Sequence, residues 1–303
     1  MSNVGWSLGI DSPDLDMSVS QRKMYMKTAN TLVIGILSIT TALAVQAQTF
    51  ITNGLVAYYP FNGNGADVVG GNDMYFITIP PGLTTLASDT LYTNQGTFGI
   101  DMFGRPGNAL AFDGTNMSYA RSESIINQSI NDNFSMTIWG LSQSTNAFYW
   151  GSDGSILLMA IHGSVNYGGG NAGVGIMMNY NEVGVIGHSD NYTPIYLSTN
   201  VGAGLWHQIS VTCTNRLISL FVDGIFVGSS DQSSSGYTLH PSSGDPYAQN
   251  EFAIPEGSGV GGFVEYDNVD GLLDGFNRFK GNASNLRIYN RVLSTNEVAE
   301  LYA

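Results

Sequence analysis

The stretch LWHQISVTCTNRLISLFVDGIFVGS, Leu205–Ser229, is the clearest indication of fold class in this 303-residue chain. In WHQISVTCT, apolar and polar side chains alternate, which predicts a strand with one buried face. Cys213 belongs to the apolar face of that strand, so we expect a buried structural thiol rather than a reactive one. In LISLFVDGIFVGS, two apolar runs flank Asp223-Gly224, a pair that accepts the positive φ angles of a two-residue hairpin turn. The stretch therefore predicts a strand followed by a β-hairpin.

Period-two patterns of the same kind recur on both sides of this stretch. They cover Leu55–Phe61, Ala109–Gly114, Met117–Arg121, Phe134–Leu141, three runs between residues 155 and 188, and Ser284–Asn290. The end of the chain differs, because Ser294 and Glu297 have the spacing of a helix capping box and precede a short apolar stripe. We predict an all-β fold, a two-sheet antiparallel jelly-roll sandwich, with one short C-terminal helix.

The composition excludes some classes of protein. The chain has 10 Lys+Arg against 24 Asp+Glu, a net charge of −14, so it lacks the basic surface that neutralises nucleic-acid phosphates. Hydrophobic residues make up 43% of the chain, enough for a core, which excludes wholesale disorder. Its single cysteine cannot form an internal disulfide. We predict a globular protein that binds no nucleic acid.

The start of the mature protein is predicted from one apolar run, Leu32–Val45. Its 14 residues are too few to span a bilayer, which takes about 20. It follows Met26-Lys27 and leads into Val45-Gln46-Ala47, a small-residue site that predicts cleavage after Ala47, so the whole has the pattern of a secretory signal peptide. We interpret residues 1–25 as a mis-annotated upstream extension or a disordered segment, 26–47 as the signal peptide, and 48–303 as one domain. The alternative for the run is a buried core strand or an uncleaved anchor. We expect a secreted or cell-surface protein, with the periplasm as the alternative, and no stable membrane insertion after cleavage.

The order of the patterns resembles a known family. Five stretches are similar to the laminin-G-like, concanavalin-A-like jelly-roll domains of secreted bacterial proteins: Gly54–Asp73, Gly107–Ala120, Phe134–Leu141, Leu205–Ser229 and Phe279–Tyr302. The resemblance covers almost all of 54–303 and implies the sandwich fold. It implies no single function, because this fold hosts lectins, adhesins, enzyme-attached modules and structural spacers. Members often hold a structural calcium near the closing strand. Ser284 and Asn285 replace the usual acidic pair there, which puts that calcium site in doubt.

Two groups of acidic and amide side chains are candidate calcium ligands. Calcium takes six to eight oxygen ligands, usually including carboxylates close together. The candidates are Asp67, Asn72 and Asp73 in the loop after the first strand, and Asp267, Asp270 and Asp274 in EYDNVDGLLDG. The alternative for both groups is a polar loop facing solvent. Calcium is the one cofactor that these residues indicate.

Catalytic residues are not predicted. Glu265–Asp270 nearly matches the E-x-D-x-(x)-E motif of laminarinase-type glycoside hydrolases, but Asp replaces the last Glu. The shorter side chain should spoil the separation of about 5–5.5 Å that a retaining carboxyl pair needs. The histidines are scattered, and His207 follows Trp206 in a strand where packing and hydrogen bonding are its expected role. A glycoside hydrolase remains a third and weaker hypothesis.

Loop aromatics indicate a function in binding. Sugar C–H faces stack on aromatic rings, while sugar hydroxyls need amide and carboxylate partners. The candidate ligand-binding residues are Tyr149, Trp150, Asp153, Tyr167, Tyr192, Tyr237 and Tyr247. We predict a secreted, non-catalytic carbohydrate- or glycoconjugate-binding module, lectin-like, that uses loops at one rim of the sandwich, with calcium support as an option. The alternative is an adhesion or structural protein that binds other proteins at the cell surface or in a matrix.

Overall fold

The computed structural model describes residues 51–71, 73–79, 92–93, 96–113, 117–122, 131–145, 156–159, 174–187, 195–234, 239, 259–260 and 279–303. Contacts divide the chain into two units, Met1–Thr49 and Phe50–Ala303, and every described residue belongs to the second. The predicted signal peptide and the residues before it lie outside the described part.

Sixteen strands and one helix occur within these ranges. In chain order they are β1 (Leu55–Tyr59), β2 (Met74–Ile79), β3 (Tyr92–Thr93), β4 (Phe98–Ile100), β5 (Pro106–Asp113), β6 (Met117–Ser122), β7 (Asn133–Ser142), β8 (Ile156–Met159), β9 (Val174–Met178), β10 (Glu182–Gly187), β11 (Ile195–Asn200), β12 (His207–Thr214), β13 (Leu217–Val222), β14 (Ile225–Asp231), β15 (Gly259–Val260), β16 (Lys280–Tyr289) and α1 (Thr295–Tyr302).

The strands form two antiparallel sheets. The first has the order β14-β13-β12-β7-β16-β5-β4, and β1 pairs with the second half of β16. The second has the order β11-β10-β9-β8-β15-β6-β2-β3. The predicted all-β, two-sheet antiparallel sandwich with a C-terminal helix is confirmed.

The stretch that indicated the fold class forms three neighbouring strands. β12 pairs with β13 and β13 pairs with β14, as the alternation predicted. The turn between β13 and β14 is Asp223-Gly224, at φ angles of 52° and 74°. Both values lie in the left-handed region, where glycine and aspartate are better tolerated than most residues.

The core lies between the two sheets. Alternate residues of β7 and β12 in the first sheet meet β9 and β10 of the second in one buried cluster; the cluster includes Phe134, Met136, Ile138, Ile209, Val211, Val174, Ile176 and Val183. Cys213 is fully buried in this cluster, and burial raises the pKa of its thiol to about 11. The thiol is therefore protonated at neutral pH and unreactive, as expected for a structural cysteine.

The helix α1 covers the outer face of the first sheet. Val298 and Leu301 pack on Phe221 and Tyr289 in a second buried cluster. The predicted capping box is present: the Glu297 N–H donates to Ser294 Oγ at 3.3 Å, and the Ser294 N–H donates to Glu297 Oε2 at 2.8 Å. In the part of the chain that the structure describes, no helix has the length and apolar character needed to cross a membrane.

Candidate functional site

The strands end at two opposite rims. At the first, here called the His207 rim, β7 ends and β12 and β16 begin: Gly281 of β16 pairs with Ser142 of β7, and His207 of β12 pairs with Gly140 of β7. The two sheets meet there, because the Tyr180 N–H at the end of β9 donates to the Ser144 carbonyl at 2.6 Å.

The opposite end of β9 marks the second rim, here called the Val174 rim. Val174 pairs with Gly187 of β10, and its N–H donates to the Leu239 carbonyl at 3.0 Å. Gly259 pairs with Met159 at the same end of the second sheet. Strands β8, β9, β10 and β15 and the residue Leu239 therefore meet along this edge.

The predicted ligand-binding residues are distributed between segments that start from both rims. Tyr149, Trp150, Asp153, Tyr167, Tyr192, Tyr237 and Tyr247 all lie outside the described residues. Tyr167, Tyr192, Tyr237 and Tyr247 belong to segments whose described neighbours lie at the Val174 rim; these neighbours are Met159, Val174, Gly187, Leu239 and Gly259. Tyr149, Trp150 and Asp153 belong to the segment between Thr145 and Ile156, next to the His207 rim. Their role in binding stays a prediction.

Of the candidate calcium ligands, Asp67 and Asp73 are described, and their oxygens bind backbone N–H groups. Asp67 is 5% exposed, and its Oδ1 accepts from the N–H groups of Tyr58, Val69 and Gly70 at 2.9, 3.1 and 3.0 Å. The Asp67 N–H donates to Asp73 Oδ1 at 2.9 Å. These bonds fasten the loop after β1 to the edge of that strand.

The remaining calcium candidates, Asn72, Asp267, Asp270 and Asp274, lie outside the described residues. Within the described ranges, no three His, Cys, Asp or Glu side chains come together as a metal-binding group. Calcium binding stays a prediction.

The residues that replace the expected acidic pair on the closing strand make hydrogen bonds within the chain. Ser284 Oγ donates to the Asn108 carbonyl at 2.8 Å, and the Tyr58 hydroxyl donates to Asn285 Oδ1 at 2.7 Å. The Arg287 guanidinium lies 4.7 Å from the centre of the Tyr58 ring. In the structure, a polar and cation–π network occupies these positions.

An exposed aromatic surface, absent from the sequence prediction, lies at the His207 rim. Tyr180, on the turn between β9 and β10, is 42% exposed. Its ring rests on Gly204, since a Cβ atom added there would lie 2.6 Å from Tyr180 Cε2. Leu205, 58% exposed, follows Gly204, and the exposed Asn181 follows Tyr180. We call Tyr180, Asn181, Gly204 and Leu205 the rim surface.

Backbone hydrogen bonds fix the rim surface. The Gly204 N–H donates to the Tyr180 carbonyl at 2.8 Å, and the Val201 N–H donates to the Asn181 carbonyl at 2.8 Å. The turn 179–181 is thus bonded to 201–206, the connection between β11 and β12. Because both turns end at paired strands, the ring is held by the framework of both sheets.

A buried histidine lies under this surface. His207 is 8% exposed, its Nδ1 lies 2.7 Å from Asp223 Oδ2, and its Nε2 lies 3.0 Å from the Gly202 carbonyl oxygen. Asp223 Oδ1 accepts from the Gln208 N–H at 2.9 Å, which orients the carboxylate. The hydrogen bond to Asp223 raises the pKa of His207, against the opposing effect of burial. His207 therefore joins the 201–206 turn to the β13–β14 hairpin, in the packing and hydrogen-bonding role expected for it.

Comparison with known proteins supports the fold. No protein-family model matches the sequence, and curated protein sequences give no significant match. Domain 4 of AbnA, an extracellular arabinanase from Geobacillus stearothermophilus solved with arabinotriose, is similar in structure: TM-score 0.50, 14% identity, covering 82% of this chain and 98% of that domain. At this identity the likeness shows the fold alone.

Two more distant structures are binding domains of botulinum neurotoxins. One, of neurotoxin DC, was solved with rat synaptotagmin II (TM-score 0.47, 9% identity), and the other, of serotype D, with N-acetylneuraminic acid (TM-score 0.45, 12% identity). The matches cover 82% and 85% of this chain but only 51% and 52% of the toxin domains, so this chain spans about half their length. Their TM-scores are too low to add to the fold assignment.

Proposed function

We propose that this protein is a non-catalytic carbohydrate- or glycoconjugate-binding module, and that its rim surface contacts the sugar. The observation that carries the proposal is the exposed Tyr180 ring, seated on Gly204 at a rim where both sheets meet. A ring that is supported from beneath and open above offers a flat face on which a ligand can stack.

The chemistry of the rim surface fits a sugar. The Tyr180 ring offers a face for sugar C–H groups, Leu205 extends the apolar area, and the Asn181 amide can donate to and accept from hydroxyls. Because backbone hydrogen bonds already fix both turns, little conformational entropy is lost on binding.

The predicted loop residues extend this site. Tyr149, Trp150 and Asp153 belong to a segment that starts next to Thr145 at the same rim. In the proposal they supply further stacking faces and a carboxylate, and calcium held by the predicted acidic groups supports the loops. The similar domain of the arabinanase was solved with arabinotriose, a neutral sugar. Export to the cell surface or medium, where glycans are abundant, belongs to the same proposal.

A glycan and polysaccharide array tests the proposal directly. The purified protein is applied once with calcium and once with chelator, alongside Tyr180→Ala and Phe103→Ala. Phe103 is 61% exposed on the turn before β5, away from the His207 rim, and serves as the control. We expect binding to a defined glycan class, weakened roughly tenfold or less by Tyr180→Ala, since aromatic stacking contributes about 0.5–1.5 kcal/mol beyond buried area. We expect Phe103→Ala to bind normally. An array without a hit under either condition would overturn the proposal.

A second candidate function, binding to a surface or matrix protein, is favoured by the edge strand β14. Its residues Ile225, Phe226 and Val227 are 70%, 52% and 36% exposed, and among the strands that the structure describes it pairs with β13. An exposed apolar edge can pair with a strand of another protein. This function predicts binding to matrix proteins that free sugars do not compete away and that Val227→Lys abolishes.

A further inference from the structure

Both ring nitrogens of His207 face hydrogen-bond acceptors. Nδ1 meets the Asp223 carboxylate at 2.7 Å, and Nε2 meets the Gly202 carbonyl at 3.0 Å. Neither partner atom carries a hydrogen to donate at neutral pH. The two bonds can form together only when the imidazole is protonated on both nitrogens.

Loss of a proton therefore breaks one of these bonds. Neutral imidazole has a single N–H, and the charged carboxylate of Asp223 is the stronger acceptor, so the N–H is kept on Nδ1. The lone pair of Nε2 then faces the carbonyl oxygen of Gly202, which is a repulsive contact. Gly202 is released, while the Asp223 hairpin stays bound.

Gly202 is directly connected to the rim surface. A Cβ atom added at Gly202 would lie 2.9 Å from Leu205 Cδ1, so the Leu205 side chain packs on this glycine. Two residues further along, Gly204 supports the Tyr180 ring and donates to its carbonyl. A shift of Gly202 therefore moves Leu205 and also Gly204, which supports the Tyr180 ring.

We propose that His207 and Asp223 are positioning residues for the rim surface, so that ligand binding there is strong in mildly acidic solution and weakens as pH rises. This inference rests on the proposed function, because it assigns a regulation to the same site. Asp223 is the charged group that faces His207 from the β13–β14 hairpin, and the Gly202 carbonyl faces it from the 201–206 turn. The direction follows from the hydrogen bond to Asp223, which raises the pKa of His207 above 6.5 in the folded protein. Below pH 6.5 both hydrogen bonds of His207 are present and the 201–206 turn is ordered. This order is lost as the pH rises through the pKa of His207 in the folded protein.

Asp223→Asn is a selective variant. Asparagine accepts positive φ as aspartate does, so the hairpin turn with Gly224 is preserved. Its Oδ1 can still accept from the Gln208 N–H, but its NH₂ group no longer stabilises a charged imidazole. Asp231→Asn at the far end of β14 is the matched control, because this exposed carboxylate bonds to Ser233 instead.

The test is an NMR titration of the ¹⁵N-labelled full-length chain, from about pH 5.5 to about pH 9, the range in which histidines titrate. The signals of the His207 ring nitrogens and of the Gly204 amide are followed, and binding to the best array glycan is measured at each pH. We expect one transition above pH 6.5, shared by the ring, the Gly204 amide and the affinity. Asp223→Asn should move the midpoint of the ring titration to lower pH, because it removes the carboxylate whose hydrogen bond raises the pKa of His207. Asp231→Asn should leave the midpoint in place.

Two results would overturn the inference: a Gly204 amide and an affinity that do not follow the His207 titration, or a midpoint that Asp223→Asn does not shift. If no glycan binds at any pH, the proposed function fails. The NMR signals then still test the inference: if the Gly204 amide follows the titration of His207, protonation of His207 controls the 201–206 turn, and if it does not, the inference fails as well.

Discussion

At the scale of single residues, Tyr180 depends on a glycine that is distant in the sequence. Gly204 has a φ of 64°, and its missing side chain leaves the space in which the Tyr180 ring lies. Tyr180 is the last residue of the strand pattern VGIMMNY, 174–180, whose apolar residues give no sign of exposure. The flanking asparagines were the one available signal, because Asn-Tyr-Asn between two apolar runs is typical of a turn. The contact with Gly204 joins the β9–β10 turn to the connection between β11 and β12, which lie in different sheets, and a local pattern cannot predict it.

Gly204→Ala should displace the Tyr180 ring. The new Cβ would lie 2.6 Å from Tyr180 Cε2, and the backbone would hold a non-glycine residue at positive φ. We expect loss of glycan binding together with a stability decrease of about 1–2 kcal/mol from the backbone alone. Gly104→Ala is the control, since Gly104 has a φ of 77° with nothing within 4 Å of an added Cβ. Binding curves and urea unfolding of both variants separate the effects. Equal binding by the two variants would contradict the role given to Gly204.

At the scale of elements, patterns within short stretches of sequence predicted individual strands, one hairpin and the start of the helix. The alternation in Leu205–Ser229 predicted β12, β13 and β14, and the capping box predicted α1 beginning after Ser294. Strands β2, β3, β4, β11 and β15 were missed. Three of them, β3, β4 and β15, have only two or three residues, too few to show a period. The pairing of β1 and β5 with different halves of β16 was also not predictable, since it joins residues distant in the chain.

The cap of α1 should make the protein sensitive to acid. The hydrogen bond from Arg291 lowers the pKa of Glu297 from 4.5 to about 2, and Ser294 contributes further. Because the folded pKa is depressed, this stabilisation is complete above pH 4.5 and is lost as pH falls towards 2. We expect Glu297→Gln to flatten the acid side of the stability profile in thermal unfolding, and Ser294→Ala to cost about 1 kcal/mol. Glu300→Gln, on the exposed side of the same helix, should leave the profile unchanged. A steep acid loss that persists in Glu297→Gln would assign the effect to other groups.

At the scale of the whole molecule, the sandwich depends on how closely its two sheets approach. Gly140 of β7 lies at this contact, where a Cβ atom would come within 2.6 Å of Leu157 Cδ2 and 2.7 Å of Met178 Sδ in the second sheet. The sequence predicted two sheets and inward-facing residues, but the spacing between facing positions emerges only from the packed structure. A close-packed interior leaves little room for an extra methyl group here.

Gly140→Ala should therefore destabilise the whole sandwich by about 1–3 kcal/mol, the usual cost of overpacking. Gly228→Ala in β14 is the control, because its added Cβ would meet Leu197 at an ordinary distance of 3.4 Å. Chemical denaturation of the two variants gives the comparison. A stability loss in Gly140→Ala no larger than in Gly228→Ala would show that the sheets can adjust at this point.

The measurement that tests the central claim most directly is a crystal structure of the protein with the best oligosaccharide from the array. The proposal predicts a sugar ring stacked on Tyr180, in contact with Leu205 and hydrogen-bonded to Asn181 at the His207 rim. A sugar bound instead at the Val174 rim, with the Tyr180 ring still exposed, would contradict the assignment of the binding site.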